Sequence, residues 1–362
     1  MDMDILRGSD AINAALNEKS RIGGCVCIPT GEHTVTSPIL IDSPSLGLKG
    51  EIWAYNLDPN GVFETHFGTK LKLSDRSHPA LSIGSRGIAA GCVVSDMGIQ
   101  GIVTGMDTRG LFDPEHPYAS AGLYFGGERI DQGDFSKISC CGLAVGISVA
   151  ENSEIDACDF RKINMDGCCV GVYFVPRASY HTHFNRCIIA DNPSYGFYGD
   201  GSGATMHNLD ITNTDFVRNC GANHLVGEED AAVSLKGFSL CTFRDNLVDS
   251  PGTFWYFEPT ATDNADKTVY KSPAIGLHLI GDGNRIMGNI FSNSSRESML
   301  IEGKGNILMN NICDGDVIVC GSENTVNGLC FTTPSARLIL KGAPSSNLVL
   351  GVDESRIVRI AE

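Results

Sequence analysis

Charge is scarce in this 362-residue chain, and positive charge is scarcest. Charged residues make up 19%, with 27 Lys plus Arg against 43 Asp plus Glu, a formal net charge of −16. That balance argues against nucleic acid and anionic membrane as partners, because phosphate binding needs a basic surface. It also disfavours polyanionic glycans such as pectate or alginate unless a local basic cleft or bound Ca²⁺ reverses it. A neutral glycan fits the charge best. No apolar stretch reaches the roughly 18 residues that cross a bilayer. The chain has no Cys-x-x-Cys pair, which speaks against structural zinc. It has no Gly-rich loop that follows a strand and opens a helix, so no organic cofactor is expected. Pro/Ser linkers and low-complexity runs are missing too, which favours one continuous body. Met1 to Asp10 lack the basic and apolar regions of a signal peptide. A cytoplasmic location is therefore favoured, with secretion the alternative if a leader was removed.

Glycine and cysteine are plentiful, at 42 and 14 residues. A chain this long can build a core without disulfides, so the cysteines read as reduced and structural. Cys25 and Cys27, Cys140 and Cys141, and Cys168 and Cys169 sit inside apolar strand runs, where a thiol behaves as a small buried hydrophobe.

The glycines mark a repeat. A short strand recurs as Gly122-Leu-Tyr-Phe-Gly, Gly146-Ile-Ser-Val-Ala, Gly171-Val-Tyr-Phe-Val, Gly196-Phe-Tyr-Gly-Asp, Ala232-Val-Ser-Leu-Lys, Phe254-Trp-Tyr-Phe-Glu and Gly276-Leu-His-Leu-Ile. The steps are 24, 25, 25, 36, 22 and 22 residues. A strand-based period of this length predicts a solenoid. Later coils are marked by corner words at Asn284, Asn306, Asn324 and Asn347, since Asn and Gly tolerate the left-handed backbone of tight corners. Asp159, Asp215, Asn246, Asn289 and Asn311 read as one corner column. Segments 52–69, 106–120, 221–230 and 259–272 break the period and read as inserted loops, which in a solenoid tend to build the binding face.

At the other end, Asp10-Ala-Ile-Asn-Ala-Ala-Leu-Asn has helical spacing of apolar residues, with Ser9 or Asp10 as N-cap. Residues 1–50 thus form a cap continuous with a solenoid over 51–362, and the helix covers the exposed end of the stack.

Alternation along each repeated strand sends Leu123, Ile147, Val172, Phe197 and Val233 inward. It places Tyr124, Ser148, Tyr173, Tyr198, Ser234, Tyr256 and His278 on one outer column. Two residues further on lie Gly126, Ala150, Val175, Asp200, Lys236, Glu258 and Ile280. Aromatic rings beside convergent polar groups suit a sugar chain laid across the coils. Asp200 and Glu258 are the candidate acid and base, two coils or roughly 9.6 Å apart at the backbone, near the separation of an inverting pair. Lys236 between them could steady developing negative charge. Arg177, Arg244 and His278 are candidates for binding hydroxyls. His181 and His183, at i and i+2 on a polar corner, would face one side if the segment is a strand and could then bind metal or substrate; without a carboxylate fixed nearby they read as decorations of a turn.

Two resemblances add to this. Ala11-Ile-Asn-Ala-Ala-Leu, Gly23-Gly-Cys-Val-Cys-Ile-Pro-Thr-Gly, Pro38-Ile-Leu-Ile and Leu48-Lys-Gly resemble the opening of the pectate-lyase-like right-handed β-helix superfamily. Asp245-Asn-Leu-Val-Asp followed by Phe257-Glu-Pro-Thr resembles a segment of the inulin fructotransferases, β-helical enzymes that cleave fructan into a difructose dianhydride. That likeness implies acid/base roles for Asp245 and Glu258. The gap between them is longer than in that family, and its Cys-Gly-Asn-Cys word is missing.

The expected fold is an all-β, single-chain right-handed parallel β-helix with a short α-helical cap. The expected function is a glycoside hydrolase, lyase or fructotransferase acting on a neutral oligo- or polysaccharide, possessing no cofactor; Ca²⁺ would enter only for a uronate lyase. The runner-up is a non-catalytic glycan-binding or structural β-helix of tailspike or adhesin type, expected as a homotrimer.

Overall fold

The computed structural model describes residues 8–54, 68–103, 108–222, 229–257 and 267–361. They form a right-handed parallel β-helix. Each middle coil contributes one strand to a short sheet and two to a long sheet that turns a corner. Among the described residues the short sheet has 12 strands and the long sheet 23.

The short-sheet strands follow the repeat. Ala121–Phe125, Val145–Val149, Val170–Phe174, Tyr195–Asp200, Ala231–Lys236 and Ile275–Ile280 stack in parallel, in that order. Alternation explains their interior: Leu123, Ile147, Val172, Phe197, Val233 and Leu277 are all fully buried. The repeat glycines have a steric cause. A Cβ on Gly171 would lie 2.5 Å from the Gly196 carbonyl oxygen, and one on Gly146 2.7 Å from that of Gly171. Coils can therefore approach closely at these positions only with the side chain removed.

Inside, the long sheet supplies a ladder of rings. Phe135, Phe160 and Phe184 stack with centroids 5.0 and 4.5 Å apart. At the corners, buried asparagines tie one coil to the next. The Asn246 N–H donates to Asn289 Oδ1, and the Asn289 N–H donates to Asn311 Oδ1, both at 3.0 Å. A second ladder runs Asn284, Asn306, Asn324, Asn347. Such bonds satisfy backbone groups that a corner would otherwise bury unpaired.

Several expectations are corrected. Thr214, not Asp215, is the rung before Asn246, whose Oδ1 accepts the Thr214 N–H at 2.9 Å. Asp215 is offset by one residue, pairs with Leu247 and is exposed. Thr253–Phe257 is not a coil strand. It pairs antiparallel with Lys267–Lys271, so part of the segment expected as a loop is a hairpin arm. The helix Ser9–Lys19 starts after Gly8, which holds the N-cap at φ 84 without a side-chain cap. Ser9 Oγ instead lies 3.1 Å from Thr36 Oγ1, and Ile12 and Leu16 bury the helix against the first coil. All 14 cysteines are free. Cys25 and Cys27 are exposed because Val26 and Ile28 take the inward positions of their strand.

Candidate functional site

The outer face of the short sheet carries the column read from the repeat, with one member removed. Register runs Tyr124, Ser148, Tyr173, Tyr198, Ser234, His278, then Leu300, Ile318, Ile339 and Val358. Ser234 pairs directly with His278, so Tyr256 does not intervene; its backbone belongs to the hairpin, and its side chain lies outside the described residues. The neighbouring column runs Asp200, Lys236, Ile280, Glu302. Lys236 is thus followed by Ile280 and not Glu258, which removes the register argument pairing Glu258 with Asp200. Glu258 itself lies outside the described residues.

The face is more enclosed than alternation alone implies. Tyr173 and Tyr198 stack with ring centroids 5.5 Å apart and planes within 9°. Both are buried, at 7% and 5% exposure. Segment 108–120 lies over the column. Phe112 packs on Tyr173 with centroids 4.8 Å apart, and Tyr118 meets Tyr124 edge-on at 5.9 Å. The hairpin flanks it, with the Arg109 guanidinium 4.2 Å from the centre of the Tyr270 ring.

Beside this stack opens a cleft of about 470 Å³, lined by Tyr173, Tyr198, Asp200, Arg177, Glu151 and Ser202 among others. Asp200 ends its strand and is fixed there. Its Oδ1 accepts the Ser202 N–H at 2.8 Å, and its Oδ2 accepts the Tyr198 hydroxyl at 3.4 Å. Burial first, then the charges of Glu151 and Asp200, push the Tyr173 phenol up to about 12. Burial and Asp200 likewise raise Tyr198. Both therefore stay neutral hydrogen-bond donors at physiological pH. On the rim, Arg177 reaches Glu154 at 3.5 Å and donates to the Glu128 carbonyl at 3.2 Å.

Glu151 escaped the sequence reading, since it sits one residue past the repeated strand, in the turn after Ala150. The pairing of the strands puts it two coils from Asp200, roughly 9.6 Å at the backbone. Glu302 was missed as well. Its Oε1 accepts a hydrogen bond from His278 Nε2 at 2.8 Å. Its position in the Asp200–Lys236 column was readable once the hairpin is taken out of the repeat.

Asp245 and Arg244 lie elsewhere, at a long-sheet corner, exposed and paired at 3.4 Å. Asp245 is left-handed at φ 55, as are Asn213 (51), Gly288 (66), Asn310 (53) and Gly328 (65) on the rungs above and below. The word Asp245-Asn246 is thus a repeated corner, of the type Gly288-Asn289 and Asn310-Asn311. His181 and His183 do not share a side as expected: His181 is left-handed at φ 48, which breaks the alternation. His183 Nδ1 instead meets Asp210 at 3.3 Å. Asp113, Glu115 and His116 form one exposed group whose ligand atoms come within 4.8 Å of one another.

Coil stacking, the helical cap and a cleft running across the rungs define the class: a right-handed parallel β-helix with a candidate site on the outer wall of one sheet. Among solved structures, the chain is similar to DFA-IIIase from Arthrobacter chlorophenolicus A6 in complex with GF2, at 12% identity and TM-score 0.64, over 97% of this chain and 92% of that one. The same protein in complex with DFA-III gives 12% identity and TM-score 0.58, over 97% and 94%. ORF18 of Geobacillus virus E2 is 16% identical at TM-score 0.55, over 94% of this chain and 59% of that one. No family model and no curated protein matches the chain. Identities this low carry the fold alone.

Proposed function

We propose that the chain is a carbohydrate-active enzyme that cleaves or rearranges a glycosidic bond of a neutral oligo- or polysaccharide lying across the coils. The observation that carries this reading is the cleft itself: stacked Tyr173 and Tyr198 beside two carboxylates, Asp200 and Glu151, with Arg177 at the rim. Two coils of separation, roughly 9.6 Å at the backbone, let the carboxyl groups converge to the spacing at which one protonates the leaving oxygen while the other activates water. Lys236, one rung from Asp200, is placed to balance charge on that side. A fructan is the preferred substrate, supported by the sequence likeness to inulin fructotransferases and by the fold likeness to DFA-IIIase. A place in the pectate-lyase-like superfamily fits the same fold. Asp245 is set aside as an acid because its corner geometry accounts for it.

The test is turnover on inulin-type fructan and a panel of other neutral glycans. Asp200→Asn and Glu151→Gln should each lower turnover by about 10²- to 10⁴-fold while glycan binding survives; Glu258→Gln decides whether that residue acts as well. Full activity in both cleft variants overturns the assignment.

A second reading, a tailspike- or adhesin-type β-helix that holds a glycan without cleaving it and assembles as a homotrimer, is compatible with the fold likeness to a viral protein, ORF18. Wild-type binding without turnover on the whole panel, with a trimeric mass in solution, selects that reading.

A further inference from the structure

Beyond the cleft, the same outer face holds a second set of reactive groups on three adjoining short-sheet strands. Ser234 and His278 are direct cross-strand partners, so their side chains stand on one face about 4.8 Å apart at the backbone. His278 donates from Nε2 to Glu302 Oε1 at 2.8 Å. In a neutral imidazole, that bond keeps the proton on Nε2 and leaves the lone pair on Nδ1. Nδ1 of His278 and Oγ of Ser234 are both buried without a hydrogen-bond partner, each other included, in residues 3% and 1% exposed, so the proton transfer requires Oγ to turn toward Nδ1.

Leaving such atoms buried and unpaired costs stability. The fold does not demand it: Leu300, Ile318, Ile339 and Val358 fill the same column in the next four coils. Ser148, another buried hydroxyl of the column, has tyrosines on both sides and no base. A hydroxyl beside an imidazole that a carboxylate orients is the arrangement of an activated nucleophile.

We propose that Ser234, His278 and Glu302 form a nucleophile, base and orienting carboxylate that hydrolyse a carboxylic ester, with an O-acylated sugar as substrate. The choice of a sugar ester rests on the glycan reading; the nucleophile does not. Ser234 Oγ attacks the ester carbonyl carbon while its proton passes to His278 Nδ1, and Glu302 holds the imidazolium through Nε2. The carbon–oxygen bond to the sugar breaks, and the sugar oxygen takes the proton from Nδ1. Water then attacks the acyl-Ser234, gives its proton to Nδ1, and releases the carboxylic acid as Ser234 recovers its hydrogen. Lys236, two residues along the strand and so on the same face, is the cation nearest in register to the oxyanion. Tyr198 is the cross-strand partner of Ser234 and lines the cleft, which puts Ser234 one rung from the cleft wall.

The test is a fluorophosphonate probe on the full-length protein, with the labelled peptide found by mass spectrometry. Acetate release from acetylated methyl glycosides is followed in parallel. Wild type should label once, at Ser234. Ser234→Ala should not label, and His278→Ala should label and release acetate at least 100-fold more slowly. Absence of labelling at Ser234 in the wild type, or labelling unchanged in His278→Ala, overturns the proposal. Glycan turnover scored on the same samples keeps the readings apart. Labelling without glycan turnover defeats only the glycosidic reading, whereas glycan turnover without labelling defeats only the ester-cleaving site.

Discussion

One column of the short sheet has two characters. From Tyr124 to His278 its outward residues are tyrosine, serine and histidine; from Leu300 to Val358 they are aliphatic. Backbone pairing is the same parallel register throughout, and the inward partners stay apolar and buried, from Leu123 to Leu340. Coil stacking therefore accepts aliphatic residues on this face, and the polar stretch answers another requirement. The enclosure differs as well. Tyr173 lies under segment 108–120 and Tyr198 stacks on Tyr173, at 7% and 5% exposure, while Val358 is 39% exposed. Inserted loops gather where the polar residues are, as expected of loops that shape a site on a rigid scaffold.

The largest expected effect separates site from scaffold. Asp200→Asn should lower turnover by about 10²- to 10⁴-fold, the usual contribution of a positioned acid or base. Its melting temperature should stay within a degree or two of wild type, because Asp200 caps a local turn and carries no core packing. Steady-state kinetics and calorimetry on one preparation check both. Parallel collapse of stability and activity would make Asp200 a scaffold residue and erase the distinction between the two halves.

Next comes the core, where the halves should differ in degree. Phe160→Ala removes the middle ring of the Phe135–Phe184 stack and should cost about 3–5 kcal/mol, since neighbouring rings cannot close the void. Leu308→Ala, in the aliphatic coils, belongs to the roughly 2–5 kcal/mol class. Denaturant titration ranks them, and a smaller loss at Phe160 than at Leu308 would reverse the expected order.

What could be read in the sequence divides along the same line. Glycines at 122, 146, 171 and 196 recur because coil contacts exclude a side chain there, so the repeat and its inward residues were legible. Tyr124, Tyr173, Tyr198 and His278 fell into one column for the same reason. Phe254-Trp-Tyr-Phe-Glu misled because a hairpin arm shares the strand propensity and alternation of a coil strand; only its antiparallel partner at 267–271 tells them apart. Glu151 was hidden because turn residues carry no periodic signal, and Asp245 attracted attention because left-handed corners select Asp, Asn and Gly whatever the function.

Corner ladders supply a mid-sized test where the polar and aliphatic coils meet. Asn289 accepts the Asn246 N–H and donates from Nδ2 to the Phe243 carbonyl and to Asn311. Asn289→Ala strands those groups in the interior and should cost about 1–3 kcal/mol. Hydrogen exchange should rise at Asn246, on the adjacent rung, before it rises at Phe160; uniform exchange along the chain would show that the ladder is not what joins these coils.

The smallest effect lies at His183 and Asp210 on the long sheet of the polar coils, and its sign follows from the directions of the two shifts. The hydrogen bond to Asp210 raises His183 above its ordinary 6.5, and the reciprocal bond lowers Asp210 below 3.8. The His183 contribution is complete below about pH 6.5 and fades as pH rises through its raised value. The Asp210 contribution is complete above about pH 4 and fades as pH falls through its lowered value. Their pairing thus stabilises most between about pH 4 and 6.5. With side chains 43% and 35% exposed, solvent screening holds it to under about 1 kcal/mol. Asp159 also faces His183, and Arg244 faces Asp210, so each ion should move the window slightly. Asp210→Asn should therefore lower stability at pH 5.5 and converge with wild type near pH 9. A gap that widens toward alkaline pH would mean that His183 takes its proton from some other partner.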